Sequence, residues 1–215
     1  MQKVLSMTDL PEKFSDEKDL EEFMSRPSAT LIDEMAQMEG DLMILGVGGK
    51  MGPTLARLAQ RSLPKSRIIG VARFSNPEVK EKLETWGVET IACDLLDRGA
   101  IEKLPQVENI IYMAGRKFGT TGASHLTWAM NAYVPGMVGE IFSKSRIVAF
   151  STGCVYPFVS VLHQGSTEDD EPFPPSGDYA NSCVGRERMF EYFSHQNKVP
   201  GRLIRLNYSI DMRYG

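Results

Sequence analysis

The chain has 215 residues, with 24 Lys and Arg against 28 Asp and Glu, a formal charge of −4, and 42% hydrophobic residues. A sequence of this size and balance buries one substantial core, and the lack of any basic run argues against a nucleic-acid or anionic-membrane partner. Its three cysteines, Cys93, Cys154 and Cys183, show no CxxC or Cys/His spacing, which argues against a disulfide framework and against a metal site. The N-terminus lacks an apolar signal core and no apolar stretch is long enough to span a bilayer, so the default location is the cytoplasm.

Residues 1–40 are acidic and carry two short helical patterns, "DEKDLEEFM" and "ATLIDEMAQM", separated by Ser25, Arg26 and Pro27. They read as a helical arm appended to the domain at 41–215. From Asp41 the runs "LMILG", "RIIGVA", "VETIAC", "ENIIYMA", "SRIVAFS" and "GRLIRLN" recur, most of them with helical or polar stretches between. This is the pattern of a parallel sheet with helices on both faces. The segment "HLTWAMNAYVPGMVGEIF" predicts a long helix before the fifth strand, despite Pro135 and Gly136, and "YANSCVGRERMFEYFSHQ" predicts another before the sixth. The loop "HQGSTEDDEPFPPSGD" sits where an active-site loop belongs in such a fold.

The stretch "DLMILGVGGKMGPTLARLA" reads as strand, glycine turn and helix, with Leu55, Leu58 and Ala59 at the spacing of one helix face. Gly46 permits the tight exit from the strand, Gly49 removes a side chain that would keep a pyrophosphate off the backbone, and Gly52 lets the helix pack close to the sheet. The positive end of the new helix then faces the anion. Read alone, the same turn also serves as a strand-to-helix connection without a ligand.

Four further segments follow the turn "GVGGKMG" in order: "CDLLD", "YMAG", "FSTGCVYP" and "YANSC". Together they resemble the extended short-chain dehydrogenase/reductases of the NAD(P)-dependent epimerase/dehydratase group, whose motifs are GxxGxxG, an acidic turn after the third strand, SSxxVYG and YxxxK. The resemblance runs from Asp41 to Gly215 and implies a doubly wound Rossmann sheet that binds a dinucleotide. It implies that the turn, Gly46, Gly49, Lys50, Met51 and Gly52, holds the pyrophosphate, that Ala114 and Gly115 line the cofactor site, and that Asp94 and Leu95 flank the adenine. Asp94 reads equally as the N-cap of a helix in "LLDRGAIEKL". NAD-preferring members carry an acid at the end of the second strand, where "GVARFS" has Ala72. Arg73 instead offers a planar cation to a 2′-phosphate and Ser75 a hydrogen bond, which favours NADP over NAD. Arg73 also reads as a solvated arginine at a strand end.

The resemblance further implies that Thr152, with Ser151 as a weaker neighbour, holds the reacting substrate oxygen, and that Tyr179 exchanges its proton. It then breaks, because the family's lysine four residues after the tyrosine is Cys183 here. A neutral thiol supplies no charge to depress the tyrosine pKa. Lys117, in "GRKFG", and Arg186 are the cations that stand in range to replace it. Family members also continue past the segment that "RLIRLNYSIDMRYG" resembles into a substrate-binding lobe, so that lobe is expected to be largely absent.

Two functions follow from these readings. One is an NADP-linked enzyme acting on a hydroxyl or keto carbon of a sugar, sugar nucleotide or related polyol. The other is a binding module that keeps the cofactor site but has lost catalysis and acts as a sensor or scaffold. A homodimer is expected through the two long helices, which family members pair and which here carry Trp128, Met130, Tyr133, Met137, Met189, Phe190 and Phe193.

Overall fold

A computed structural model of the chain describes residues 4–6, 8, 10–119, 122–162 and 164–207. Each of the six apolar runs is a strand: β1 (Leu42–Leu45), β2 (Ile68–Ala72), β3 (Glu89–Ala92), β4 (Asn109–Tyr112), β5 (Arg146–Thr152) and β6 (Gly201–Leu206). They form one sheet in the order β3-β2-β1-β4-β5-β6, the doubly wound α/β arrangement. The contacts within the chain gather into two compact units. One holds the described residues up to Ala92 together with Val107–Asn109, the other Cys93–Gln106 and the described residues from Ile110 onward.

In the first unit β1, β2 and β3 pair in parallel, with Leu42 opposite Ile68 and Ile69 opposite Glu89. All four residues of β1 are buried, which is why this strand is an unbroken apolar run rather than an alternating one. Helix α3 (Gly52–Ser62) follows β1, and α4 (Pro77–Thr85) follows β2. The arm forms α1 (Glu17–Met24) and α2 (Ala29–Met35), each capped as its sequence dictates: the Asp16 carboxylate accepts from the Asp19 N–H at 2.8 Å and the Ser28 hydroxyl from the Leu31 N–H at 3.1 Å.

The arm is fastened to α3 and α4 by charge. The Glu22 carboxylate meets Arg57 at 2.8 Å, pairs with Arg61, and lies 3.6 Å from Arg26; the buried Glu21 carboxylate takes two hydrogen bonds from Lys82, each at 2.8 Å. Arg57 also stacks on Trp86, 4.5 Å from the ring centroid. Burial alone would raise the Glu22 carboxyl. The hydrogen bond from Arg61 and the charges of Arg61, Arg57 and Arg26 outweigh it and hold that carboxyl below the usual range.

In the second unit β5 and β6 pair in parallel from Ile147 opposite Gly201 to Thr152 opposite Leu206. Helix α8 (Asp178–Asn197) is the 20-residue helix expected before the last strand, and it closes on Lys198 in a left-handed conformation at φ 55°. The other long helix is a continuous run of different composition: α6 (Ser124–Trp128), a π turn (Ala129–Tyr133) and α7 (Val134–Ile141). Pro135 has no N–H, and its ring crowds the carbonyl four residues back. The wider π turn immediately before it lets the helix continue instead of breaking.

A second departure lies in "LLDRGAIEKL". Helix α5 is only Arg98–Ile101, and its N-cap is Asp97, whose carboxylate accepts from the Ala100 N–H at 3.2 Å. Asp94 is therefore not a helix cap. Its carboxylate accepts from the Leu96 N–H two residues on, at 3.0 Å, closing a local turn. The residues after Asn207, including most of "NYSIDMRYG", lie outside the described residues.

Candidate functional site

In the first unit, Gly46 leaves β1 at φ 92°, and its N–H still donates to the Val71 carbonyl at 2.9 Å. Gly52 is irreplaceable for space, since a Cβ there would fall 2.0 Å from the Val47 carbonyl oxygen. Gly49 is different: the nearest atom to a Cβ built on it is the Gly46 oxygen at 3.6 Å, an ordinary contact. Nothing inside the turn requires glycine at 49, which is what a surface kept bare for a ligand looks like. Helix α3 then starts at Gly52 with Pro53 in its first turn and no side-chain cap from Met51, so the end of its dipole is not occupied by a side chain of its own. Lys50 is exposed beside it.

The end of β2 lies against this turn, because a Cβ on Gly48 would come within 3.2 Å of the Ala72 Cβ. Arg73 and Ser75 follow and are exposed, on either side of Phe74, a non-glycine residue at φ 50°. Among the described residues no ion pair engages Arg73.

In the second unit Leu95 is 5% exposed and belongs to the core. Ala114 is buried after β4, and a Cβ on Gly115 would fall 2.4 Å from Arg186 Nη2, so that any side chain there would have to displace the Arg186 guanidinium.

Thr152 ends β5, and Tyr179 sits in the first turn of α8. Thr152 Oγ1 accepts from the Cys154 N–H at 3.2 Å, and its hydroxyl stands near enough to the Tyr179 phenol to favour the ionised form. Cys183, one turn further along the helix and fully buried, lies next to Tyr179 on the same helix face. Lys117 Nζ lies 5.6 Å from the centroid of the Tyr179 ring. Burial, reinforced by Cys183, raises the Tyr179 hydroxyl above the ordinary tyrosine value, against the opposing pull of the Thr152 hydroxyl and the Arg186 charge. The Cys183 thiol is raised for the same leading reason, burial, with Arg186 and Tyr179 opposing.

Arg186 is 6% exposed and does not point at a carboxylate. Nη1 donates to the Phe150 carbonyl at 2.8 Å, Nη2 to Asn131 Oδ1 at 2.9 Å, and Nε is buried without a partner. It is a buried cation held by neutral acceptors, so its field acts on Tyr179 and Cys183 without being cancelled by a paired acid.

Ser151 is turned to other work. Its hydroxyl donates to the fully buried Glu187, which pairs with Arg205 at 3.0 Å; Arg205 in turn donates to the Tyr156 hydroxyl at 3.2 Å and to the Glu168 and Asp170 carbonyls at 3.2 and 3.3 Å. Adjacent strand residues face opposite sides, and that alternation separates Ser151 from the Thr152–Tyr179 contact.

Sequence reasoning misses two hubs here. Asn131, in the π turn, takes the Arg116 N–H at 2.8 Å and donates to the Arg116 carbonyl and Ser182 Oγ at 3.0 Å each. Glu187 is the other. The signals were a lone amide inside the apolar run "WAMNAYV" and an acid in step with Tyr179 and Cys183 at four-residue spacing, both polar groups that a core accepts only with partners.

Among the described residues no group of three or more His, Cys, Asp or Glu could hold a metal ion, and no helix is long and apolar enough to cross a membrane.

Residues 42–208 match the NAD dependent epimerase/dehydratase family. No curated protein matches the chain in sequence. Among solved structures it is similar to an ADP-L-glycero-D-manno-heptose-6-epimerase from Helicobacter pylori, at 20% identity and a TM-score of 0.67 over 81% of this chain and 57% of that one. It is also similar to the UDP-glucuronic acid 4-epimerase from Bacillus cereus in complex with NAD, at 17% identity and 0.63 over 78% and 56%. A third is a dTDP-glucose 4,6-dehydratase from Streptomyces venezuelae with NAD bound, at 18% and 0.65 over 77% and 55%. At these identities the likeness is one of fold, and the chain spans little more than half the length of the structures it matches.

Proposed function

Since the chain belongs to the NAD dependent epimerase/dehydratase family, we propose that it is an NAD(P)-dependent oxidoreductase of that kind, acting on a hydroxyl or keto carbon of a sugar nucleotide. The observation that carries this reading is the nearness of the Thr152 hydroxyl to the Tyr179 phenol, close enough to pull its pKa down against burial, at the end of a strand. The glycine turn fits the pyrophosphate of the cofactor, with Gly49 bare and the start of α3 free of a side-chain cap. Bound NAD(P) supplies hydride exchange with the substrate carbon.

The chain's own residues do the rest. Thr152 holds the reacting substrate oxygen, and Tyr179 Oη gives or takes its proton. Burial keeps Tyr179 protonated at neutral pH, which suits it as an acid first. Arg186 supplies a fixed positive field from beneath, and Lys117 a second charge over the ring. Arg73 and Ser75 favour NADP over NAD.

The protein acts in the cytoplasm as a homodimer through α6, α7 and α8. Trp128, Tyr133 and Tyr192 support that surface, being 41, 57 and 55% exposed, whereas Met137 and Phe190 are buried in the unit's own core.

The test is to titrate the protein with NADPH and NADH by fluorescence and then to supply UDP-, dTDP- and ADP-sugars, with Tyr179→Phe as the control. Turnover lost in Tyr179→Phe supports the reading. Cofactor binding with no turnover on any sugar nucleotide would leave a binding module in its place.

A further inference from the structure

Helix α8 begins without a side chain of its own to close it. Its N-cap is Gly177, at φ 138°, and Asp178 follows in the first turn. An acid there ordinarily serves the exposed N–H groups of its own helix. Asp178 instead gives its carboxylate to α6: Oδ2 accepts from the Ser124 hydroxyl at 2.6 Å and Oδ1 from the Trp128 indole N–H at 2.8 Å. Charge-assisted and using both oxygens, the pair fixes orientation as well as distance. The hydrogen bonds from Ser124 and then Trp128 hold the Asp178 carboxyl below its usual range.

Tyr179, the next residue, is tied again from the other side. The Ser182 hydroxyl donates to the Tyr179 carbonyl at 2.9 Å and accepts from Asn131 Nδ2 at 3.0 Å. Asn131 lies in the π turn that continues α6, so both ties join the first turn of α8 to one helical run. Close packing holds the two runs together further along: a Cβ on Gly185 would come within 3.0 Å of the Ala132 Cβ and 3.7 Å of the Trp128 ring. Tyr179 therefore stands between two fixed points, an exposed one at Asp178 and a buried one at Ser182.

We propose, resting on the reading of Tyr179 as the residue that gives or takes the substrate's proton, that Asp178 is a positioning residue: through Ser124 and Trp128 it holds the first turn of α8 where the Tyr179 phenol lies beside Thr152. The role is geometric and not electrostatic. An asparagine in its place keeps both contacts, since its Oδ1 accepts the indole N–H and its Nδ2 donates to the Ser124 oxygen. An alanine keeps neither. A misplacement of about 1 Å at a reacting centre costs about a hundredfold in rate; with Ser182 still in place, a loss of about tenfold is expected for Asp178→Ala.

Steady-state kinetics on the whole chain, with ultraviolet titration of the Tyr179 phenol, tests this; Asp178 is exposed, so its substitution leaves the core untouched. Asp178→Ala should lower kcat about tenfold and leave the KM for NADPH unchanged, and Asp178→Asn should restore kcat. Trp128→Phe keeps a ring and loses the donor; it should lower kcat less, and add nothing to Asp178→Ala in the double variant. The phenol is the titration that Tyr179→Phe lacks, and its raised midpoint should fall toward the ordinary value of about 10 in Asp178→Ala but not in Asp178→Asn. If no sugar nucleotide turns over, the acid role of Tyr179 fails, and this titration still decides whether Asp178 holds the phenol in place. An unmoved phenol midpoint in Asp178→Ala, equal losses in Asp178→Ala and Asp178→Asn, or additive losses in the double variant would each overturn the proposal.

Discussion

The glycine turn after β1 and the Tyr179 cluster at the start of α8 both descend from short motifs, yet they are built in opposite ways. In the turn the backbone does the selecting. Gly52 is fixed by a collision with the Val47 carbonyl and Gly46 by a positive φ, and neither depends on a distant side chain. In the cluster almost nothing is local: Tyr179 answers to Thr152 on a strand, Cys183 on its own helix and the field of Arg186, which is itself held by Asn131 and the Phe150 carbonyl. A backbone device tolerates change in its surroundings and fails at single glycines. A side-chain network allows replacement of a member, as with Cys183, provided the remaining charges are still held.

The largest effect should come from the network's buried support. Glu187 is fully buried and pairs with Arg205, whose other hydrogen bonds reach Tyr156 and the carbonyls of the acidic loop. Removing one partner of such a pair leaves an uncompensated charge, so Glu187→Ala should lower unfolding stability by about 3–5 kcal/mol in urea titration. A loss below about 1 kcal/mol, the scale of an exposed ion pair, would mean that water already reaches Arg205 and that the cluster is less enclosed than its geometry.

The turn gives the next largest effect and the sharpest contrast. Gly52→Ala places a methyl on backbone that no rotamer change can clear, and should cost about 3 kcal/mol, at the upper end for overpacking. Gly49→Ala meets only an ordinary contact, so its unfolding midpoint should stay close to that of the unaltered protein while NAD(P) affinity falls about tenfold. If Gly49→Ala keeps full affinity, the turn is a connection between strand and helix and no pyrophosphate site.

How far each region could be read in advance follows from the same difference. The strands are legible as short apolar, β-branched runs, most clearly β1 and β2, which are buried on both faces, and the turn because glycine marks it. The π turn is not, since Pro135 predicts only a disturbance and not how the helix absorbs it. Asp94 and Asp97 offer two caps three residues apart, and only packing chooses Asp97. The role of Ser151 is hidden because its partner Glu187 lies 36 residues away in sequence. The docking of the arm is hidden likewise, since "EE" in an acidic helix does not announce Arg57, Arg61 and Lys82 as partners.

Cofactor choice is a smaller effect. Arg73 is exposed at the end of β2, beside the turn through Ala72, and no ion pair engages it among the described residues. Arg73→Ala should weaken NADPH binding by about 1.5–3 kcal/mol, the worth of hydrogen bonds to a charged group, and leave NADH nearly unchanged. Calorimetric titration with both cofactors checks this. Equal losses for the two would show that Arg73 does not meet the 2′-phosphate.

The smallest effect tests whether the cluster has truly replaced its missing lysine. A tyrosine with a pKa of about 10 is ionised in only about one molecule in a thousand at pH 7. Here burial and Cys183 raise that value, so the ionised fraction is smaller still and climbs only as pH passes the raised pKa. The linkage has the same sign. The stability that the neutral, buried Tyr179 contributes is fully present below the ordinary tyrosine value and is lost as pH rises through the raised one. A cation within about 4–6 Å lowers a neighbouring acid's pKa by about 1–3 units, and Cys183 lies one helix turn from Tyr179 on the same face. Because Arg186 already contributes, the gain from Cys183→Lys should lie near the lower limit, about tenfold in Tyr179-dependent turnover at neutral pH, with the pH profile moved downward. Cys183→Met, which adds length without charge, should show no gain, and Tyr179→Phe should abolish it. If Cys183→Lys changes nothing while Arg186→Ala or Lys117→Ala slows the reaction, the charge already comes from those residues, and the network has substituted for the lysine in full.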